Sequence, residues 1–169
     1  MNQEALTQFI QCFTLADAGA TQRIAERLAL VLHDAGAYQA QYAEELAERG
    51  IEAPLPSQEV RDVALIDALL SEDLLWESDE QDPISDTAEG LNDILERQNR
   101  PQRLRVAASR SAGGPEQLDA LQDALEALGL ALVLGTMDSD SYPLSVVAED
   151  QAEETRRLAK ELGFELAVY

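Results

Sequence analysis

The sequence predicts an α+β fold, with helices through residues 1–99 and a β-α-β-β-α-β unit through 100–169. Three observations carry that expectation. Apolar residues recur at helical spacing from Leu6 to Leu95. At Asn99–Pro101 the pattern changes to alternation, with Leu104, Val106 and Ala108 interleaved with Arg103, Arg105 and Ala107. Finally, Leu128-Gly129-Leu130-Ala131-Leu132 is echoed by Leu162-Gly163-Phe164-Glu165-Leu166, each reading as helix end, glycine, strand.

The elements follow in order. Leu6, Phe9, Ile10 and Phe13 share one helical face. Thr21 reads as an N-cap for a second helix striped by Ile24, Leu28, Val31 and Leu32, with Gly36 as its stop. Tyr38, Tyr42 and Leu46 mark a third helix ending at Gly50. Two prolines make Ile51–Pro56 a loop, and Ser57 is expected to cap a fourth helix. That helix carries Val63–Leu70, apolar nearly all round, so it should be central and buried. Asp82-Pro83 is expected to start a fifth helix, with Asp as cap and Pro at the first position. Its stripe is Ile84, Ala88, Leu91 and Leu95.

A strand at Arg103–Ala108 follows, then Gly113-Gly114-Pro115 and a helix striped by Leu118, Leu121, Leu125 and Leu128. Leu130–Thr136 and Tyr142–Ala148 read as strands of a hairpin around the turn Asp138–Ser141. Asp150 and Glu153 resemble a capping box for a helix ending at Gly163, and Phe164–Tyr169 alternates as a last strand. This order is that of a ferredoxin-like unit. Its open sheet face must be solvated, dimerised or covered by the N-terminal helices, which leaves a monomer or a homodimer.

Charge narrows the functions. The chain has 169 residues, 33 Asp and Glu, 12 Lys and Arg, and a formal net charge of -21. It should repel phosphates and anionic lipid, so nucleic acid and membrane surfaces are not expected partners. The N-terminus lacks the basic start and apolar run of a secretory signal, no stretch has the length of a membrane span, and Cys12 is the single cysteine. A cytoplasmic protein is expected. Residues 62–96 hold twelve acids and no Lys or Arg, whereas 97–115 hold Arg97, Arg100, Arg103, Arg105 and Arg110 and no acid. The arginines are expected to pair with the acidic block and latch the two parts together. Arg103 and Arg105 could also meet Glu165 across the sheet. The acidic block itself reads either as a solvated face or as a docking surface for a basic protein. As a docking surface it would use Glu72, Asp73, Glu77, Asp79, Glu80, Asp82 and Asp86.

Catalytic and metal signals are sparse. Trp76 beside carboxylates could frame a cationic pocket, but it reads first as a core plug. Asp138 and Asp140 alternate like the start of a calcium loop, without its glycine or bidentate Glu, so a plain turn is expected and no metal. His33 sits where a helix C-terminus favours a cation. Cys12 reads as a small buried hydrophobe. Carboxylate pairs such as Asp62/Asp67 or Asp79/Asp82 could serve a hydrolase, yet aromatics make up only 5%, too few for a sugar cleft. No phosphate loop or dinucleotide fingerprint occurs, so no cofactor and no enzymatic activity are expected.

The combination ALIDALL, LLWESDEQDP and LNDILE, followed by LGLALVLGTMDSDSYPLSVVA and AKELGF, resembles a family of small acidic bacterial proteins of unknown function. That resemblance implies a bacterial, cytoplasmic origin and no assigned activity. At fold level alone, the acidic C-terminal half is also similar to protein inhibitors of the ribonuclease E regulator class, which transfers no site residues. The sequence thus favours an acidic interaction protein, a regulator or immunity-type inhibitor of a basic partner. The alternative is a small-ligand sensor, with a pocket between the helical part and the sheet built from Trp76, Arg105 and Tyr169.

Overall fold

The computed structural model describes residues 2–79, 81–106, 115–137 and 141–169, apart from the side chain of Pro115. The helical half begins with α1 (Gln3–Thr14), α2 (Ala18–His33), α3 (Ala35–Gln41), α4 (Ala43–Glu48) and α5 (Ser57–Ser71). The expected stripes of the first two helices are buried except for Leu32, which is half-buried: Phe9, Ile10, Phe13, Ile24, Leu28 and Val31 are at most 1% exposed.

The expected caps are corrected. Asp17, not Thr21, caps α2, because its carboxylate accepts from the Ala20 N–H. Thr21 lies inside the helix, 2.6 Å from the Thr14 hydroxyl across to α1. Gly36 does not stop α2. Asp34, in extended backbone, ends it and caps α3 through the Ala37 N–H. The helix expected over Tyr38–Leu46 breaks at Tyr42 into α3 and α4. Ser57 is the first residue of α5 and makes no cap bond.

A strand absent from the sequence expectations follows: β1 (Trp76–Asp79). Asp82 does not cap the next helix. Its carboxylate accepts from the Asp79 N–H and closes the turn before α6 (Ile84–Arg97). Residues 101–106 form no strand. The physical reason is a side chain on α6: Asn92 accepts from the Leu104 N–H at 2.7 Å and donates to the Leu104 carbonyl at 3.1 Å. One amide takes both bonds that a neighbouring strand would have supplied, while Leu104 buries its side chain. Ala108 and the Gly113-Gly114 break lie outside the described residues. The chain continues with α7 (Pro115–Glu126), β2 (Leu130–Gly135), β3 (Ser141–Ala148), a single 3-10 turn, α8 (Ala152–Leu162) and β4 (Leu166–Val168). No side-chain capping box forms at α8.

The sheet runs β1-β3-β2-β4, antiparallel throughout. This differs from the expected ferredoxin-like order, in which the last strand would lie beside the first. Here β4 pairs with β2, through Val133↔Val168 to Gly135↔Leu166, and takes the opposite edge. Handedness gives the consequence. Both crossovers, β1 to β2 and β3 to β4, run the same way across the sheet on strands of opposite sense. Right-handed connections then place their helices on opposite faces.

The packing agrees. Leu130, Leu132, Leu144 and Val146 pack with α6 and α7 on one face. Ala131, Val133, Val147 and Val168 pack with α1, α2, α5 and α8 on the other. A strand covered on both faces reads as a continuous apolar run, as Leu130–Val133 does. The open face expected of the sheet is therefore covered, partly by the N-terminal helices. Residues 1–99 and 100–169 share this sheet, since Trp76 to Asp79 pair with Leu144 to Ser141.

Candidate functional site

Six of the seven acids expected to dock a partner are described, and they fall into three groups. Glu72 and Glu77 are consumed inside the molecule. Glu72 receives a two-pronged bond from Arg23 at 2.8 and 2.7 Å, and Arg97 reaches it at 3.5 Å. These guanidinium bonds, led by that of Arg23, hold its carboxyl below the ordinary glutamate range. Glu77 leaves β1 on the face opposite Trp76 and accepts from Arg49 at 2.5 Å. Asp79 and Asp82 bind backbone N–H groups of their own turn. Asp73, in the left-handed region at φ 58°, and Asp86 are exposed. Glu80 lies outside the described residues, as do Asp138, Asp140 and Arg110.

Arg97 reaches the acidic block, but within residues 1–99, so it is not the latch expected between the two parts. It joins Asp17 at 2.9 Å and Glu72, tying the end of α6 to α2 and α5. Arg100 instead donates to Gln98 Oε1, and Arg103 to the carbonyls of Arg100 and Gln102. Arg103 and Arg105 are exposed and make no ion pair among the described residues. Gln98 is a strap that the sequence did not reveal. It is buried and donates to the carbonyls of Phe13 and Val146, joining α1 to β3.

A second ionic group was equally invisible in sequence. Arg49 binds the buried carboxylate of Asp67 as well as Glu77, and its Nη1 lies 3.4 Å from the Met137 sulfur. Arg27 stacks over Tyr42 at 4.3 Å and donates to the buried Tyr38 hydroxyl at 2.9 Å. Burial pushes the Asp67 carboxyl and the Tyr38 phenol up, against the opposing pull of their arginines. Burial likewise pushes the Cys12 thiol up, consistent with a small core residue.

The pocket trio is not assembled as expected. Trp76 lies on β1 and Tyr169 follows β4, so they sit at opposite edges of the sheet, and Arg105 is exposed. Trp76 packs against Gly90 of α6. Its indole N–H is buried with no partner among the described residues.

A charged surface without ion pairs among the described residues lies on the outer layer. On α6, Asp86, Glu89, Asp93 and Glu96 are all exposed, spaced i, i+3, i+7, i+10. On α7, Glu116, Asp119, Asp123 and Glu126 repeat that spacing and are also exposed. The opposite stripes, Leu91, Ile94 and Leu95 with Leu118, Leu121 and Leu125, pack on the same sheet face. Both acidic stripes therefore look outward from one layer. None of these eight carboxylates makes an ion pair among the described residues. Of the eight, only Asp86 belongs to the set expected from sequence. The signal that finds the others is helical spacing applied to charge as well as to apolarity.

The architecture is thus an α+β protein with one central antiparallel sheet covered on both faces and an acidic outer helical layer. Residues 5–169 match the family described as Domain of unknown function (DUF6630), and the chain belongs to it. No curated protein and no solved structure gives a significant match. No described helix is long and apolar enough to cross a membrane.

Proposed function

We propose that the chain is a non-enzymatic interaction protein of the cytoplasm that docks a basic protein partner through the outer face of α6 and α7. It acts as a regulator or immunity-type inhibitor by masking the partner's positive surface. One observation carries this reading: eight exposed carboxylates in two parallel-purpose stripes, with no cation paired to any of them among the described residues. Arginines elsewhere in the fold neutralise Asp17, Asp67, Glu72 and Glu77, and the acids of α6 and α7 are paired with no base among the described residues. A surface of one sign raises the encounter rate with an opposite surface, and its pull fades as salt shortens the screening length to about 10 Å at 0.1 M.

The test compares capture from an extract of the native host at low and high salt. The baits are the wild type, a variant with the eight acids changed to Asn or Gln, and a control with Glu44→Gln and Glu48→Gln on α4. The proposal expects a basic protein retained by wild type and control, released by salt, and lost with the eight-site variant. Equal retention by all three baits would overturn it.

A further inference from the structure

We propose that the cavity between the start of α5 and the ends of β2 and β4 binds a small organic cation, an amine carried on an apolar body. The cavity has a volume of about 480 Å³. Pockets that hold small molecules span roughly 300–1,000 Å³ and combine apolar walls with a few placed polar groups. Here Ile51, Leu55, Val63 and Met137 supply the apolar wall. Among the described residues, the charged ones on its surface are all acidic: Glu59, Asp62 and Glu165.

Asp62 is the determining group. It is only 5% exposed, and it makes no ion pair among the described residues. Its Oδ1 accepts from the Glu165 N–H at 3.0 Å and from Gln58 Nε2 at 3.1 Å. Its Oδ2 has a single contact, the same Gln58 nitrogen at 3.2 Å, so acceptor capacity is left over. The neighbouring Arg61 attracts Asp62 through space but spends its hydrogen bonds on the Gly163 carbonyl and Gln58 Oε1, so it makes no direct pair with the carboxylate. Asp67, on the same helix and buried to the same degree, shows the contrast: Arg49 is bonded to it and Arg27 lies 3.9 Å away. A buried carboxylate is costly without a counter-charge. At Asp67 the chain supplies one, and at Asp62 the cavity leaves room for one from outside.

The kind of cation follows from the arrangement. Among the described residues no three metal-ligating side chains converge. The carboxylates are spread around an apolar space, which suits an extended organic ion over a compact metal ion. Neutral ligands would fill the wall and leave Asp62 without its charge partner. Anions would meet three carboxylates.

The experiment titrates hexylamine and 1-hexanol into the full chain at 150 mM salt by calorimetry. Wild type should bind hexylamine saturably and at least tenfold more tightly than the alcohol. Asp62→Asn should abolish that preference, with circular dichroism confirming the fold. Glu59→Gln with Glu165→Gln, both exposed side chains, should weaken hexylamine several-fold, and this pair decides the matter if Asp62→Asn fails to fold. Glu44→Gln with Glu48→Gln, away from the cavity, should change nothing. Equal affinity for amine and alcohol overturns the proposal. So does a preference that survives Asp62→Asn, an unchanged affinity in the Glu59/Glu165 pair, an equal loss in the Glu44/Glu48 control, or no saturable binding. Binding to α6–α7 is untouched by these variants, so this outcome is independent of the proposed docking function.

Discussion

Gly90→Ala should destabilise the protein, although the same change in an exposed helix would stabilise it by about 1 kcal/mol. A Cβ built on Gly90 falls 2.1 Å from Trp76 Cδ2 and 2.5 Å from Cγ. Carbon atoms settle at about 3.5–4.0 Å, so the ring must retreat by roughly 1.5 Å. Cγ is bonded directly to the Trp76 Cβ, so the indole cannot slide aside as a flexible chain end would. Either χ1 rotates and the ring leaves α6, or β1 shifts against β3. Overpacking of this kind costs about 1–3 kcal/mol. Helix propensity returns about 1 kcal/mol of it, leaving a net loss of up to about 2 kcal/mol. For a chain of this size that is a fall in Tm of up to about 8 °C. Trp76 is the only tryptophan. Its emission should therefore move to longer wavelength as the ring is wetted, read in the same sample as the urea melt. In a Trp76→Ala background the Gly90→Ala change should become stabilising. A Gly90→Ala protein that is more stable, with unchanged emission, would refute the packing of β1 on α6.

Three further outcomes follow from the charges. Arg49→Met leaves the buried Asp67 carboxylate with only Arg27 at 3.9 Å and should cost up to about 3–5 kcal/mol in urea unfolding, most of it recovered by Arg49→Met with Asp67→Leu. Glu72 has a folded pKa held below its unfolded one, so its contribution is complete above the ordinary glutamate range and disappears as pH falls through the folded value. Glu72→Gln should thus lower stability at neutral pH and flatten its loss on acidification. Asp67, raised by burial, acts in the opposite sense: its cost is full above the folded pKa and is relieved as pH falls through it. Neutralising Asp86, Glu89, Asp93 and Glu96 removes like-charge neighbours at i, i+3 and i, i+4, so Tm should rise, and the gain should shrink as salt is added.

Much of the helical layer was legible because burial follows apolar period. Phe9, Phe13, Leu28, Leu91 and Leu121 are core residues where their stripes place them. The hairpin of β2 and β3 was legible for the same reason, its two apolar runs flanking a polar turn. β1 was not, because Trp76-Glu77-Ser78-Asp79 owes its place to contacts far off in sequence. Ser78 meets Thr87, Glu77 meets Arg49, and Trp76 needs the bare backbone of Gly90. Leu104 and Val106 alternate as a strand should, yet the Asn92 amide had already claimed the backbone of Leu104. The edge taken by β4 decides which face α8 covers, and no local pattern in Phe164–Tyr169 encodes that choice. Among the acids, residue type alone did not separate Glu72, engaged by two arginines, from Asp86, which faces outward.

The docking claim is tested most directly by carboxyl footprinting. The protein is labelled with carbodiimide and glycine ethyl ester, free and with its captured partner, and the sites are read by mass spectrometry. In the free protein the α6 and α7 acids should label quickly and the buried Asp67 slowly. In the complex, Asp86, Glu89, Asp93, Glu96, Glu116, Asp119, Asp123 and Glu126 should become protected, while Glu44 and Glu48 on α4 stay reactive. Full reactivity of the α6–α7 acids in the complex, with protection appearing on α4 or elsewhere, would contradict the account.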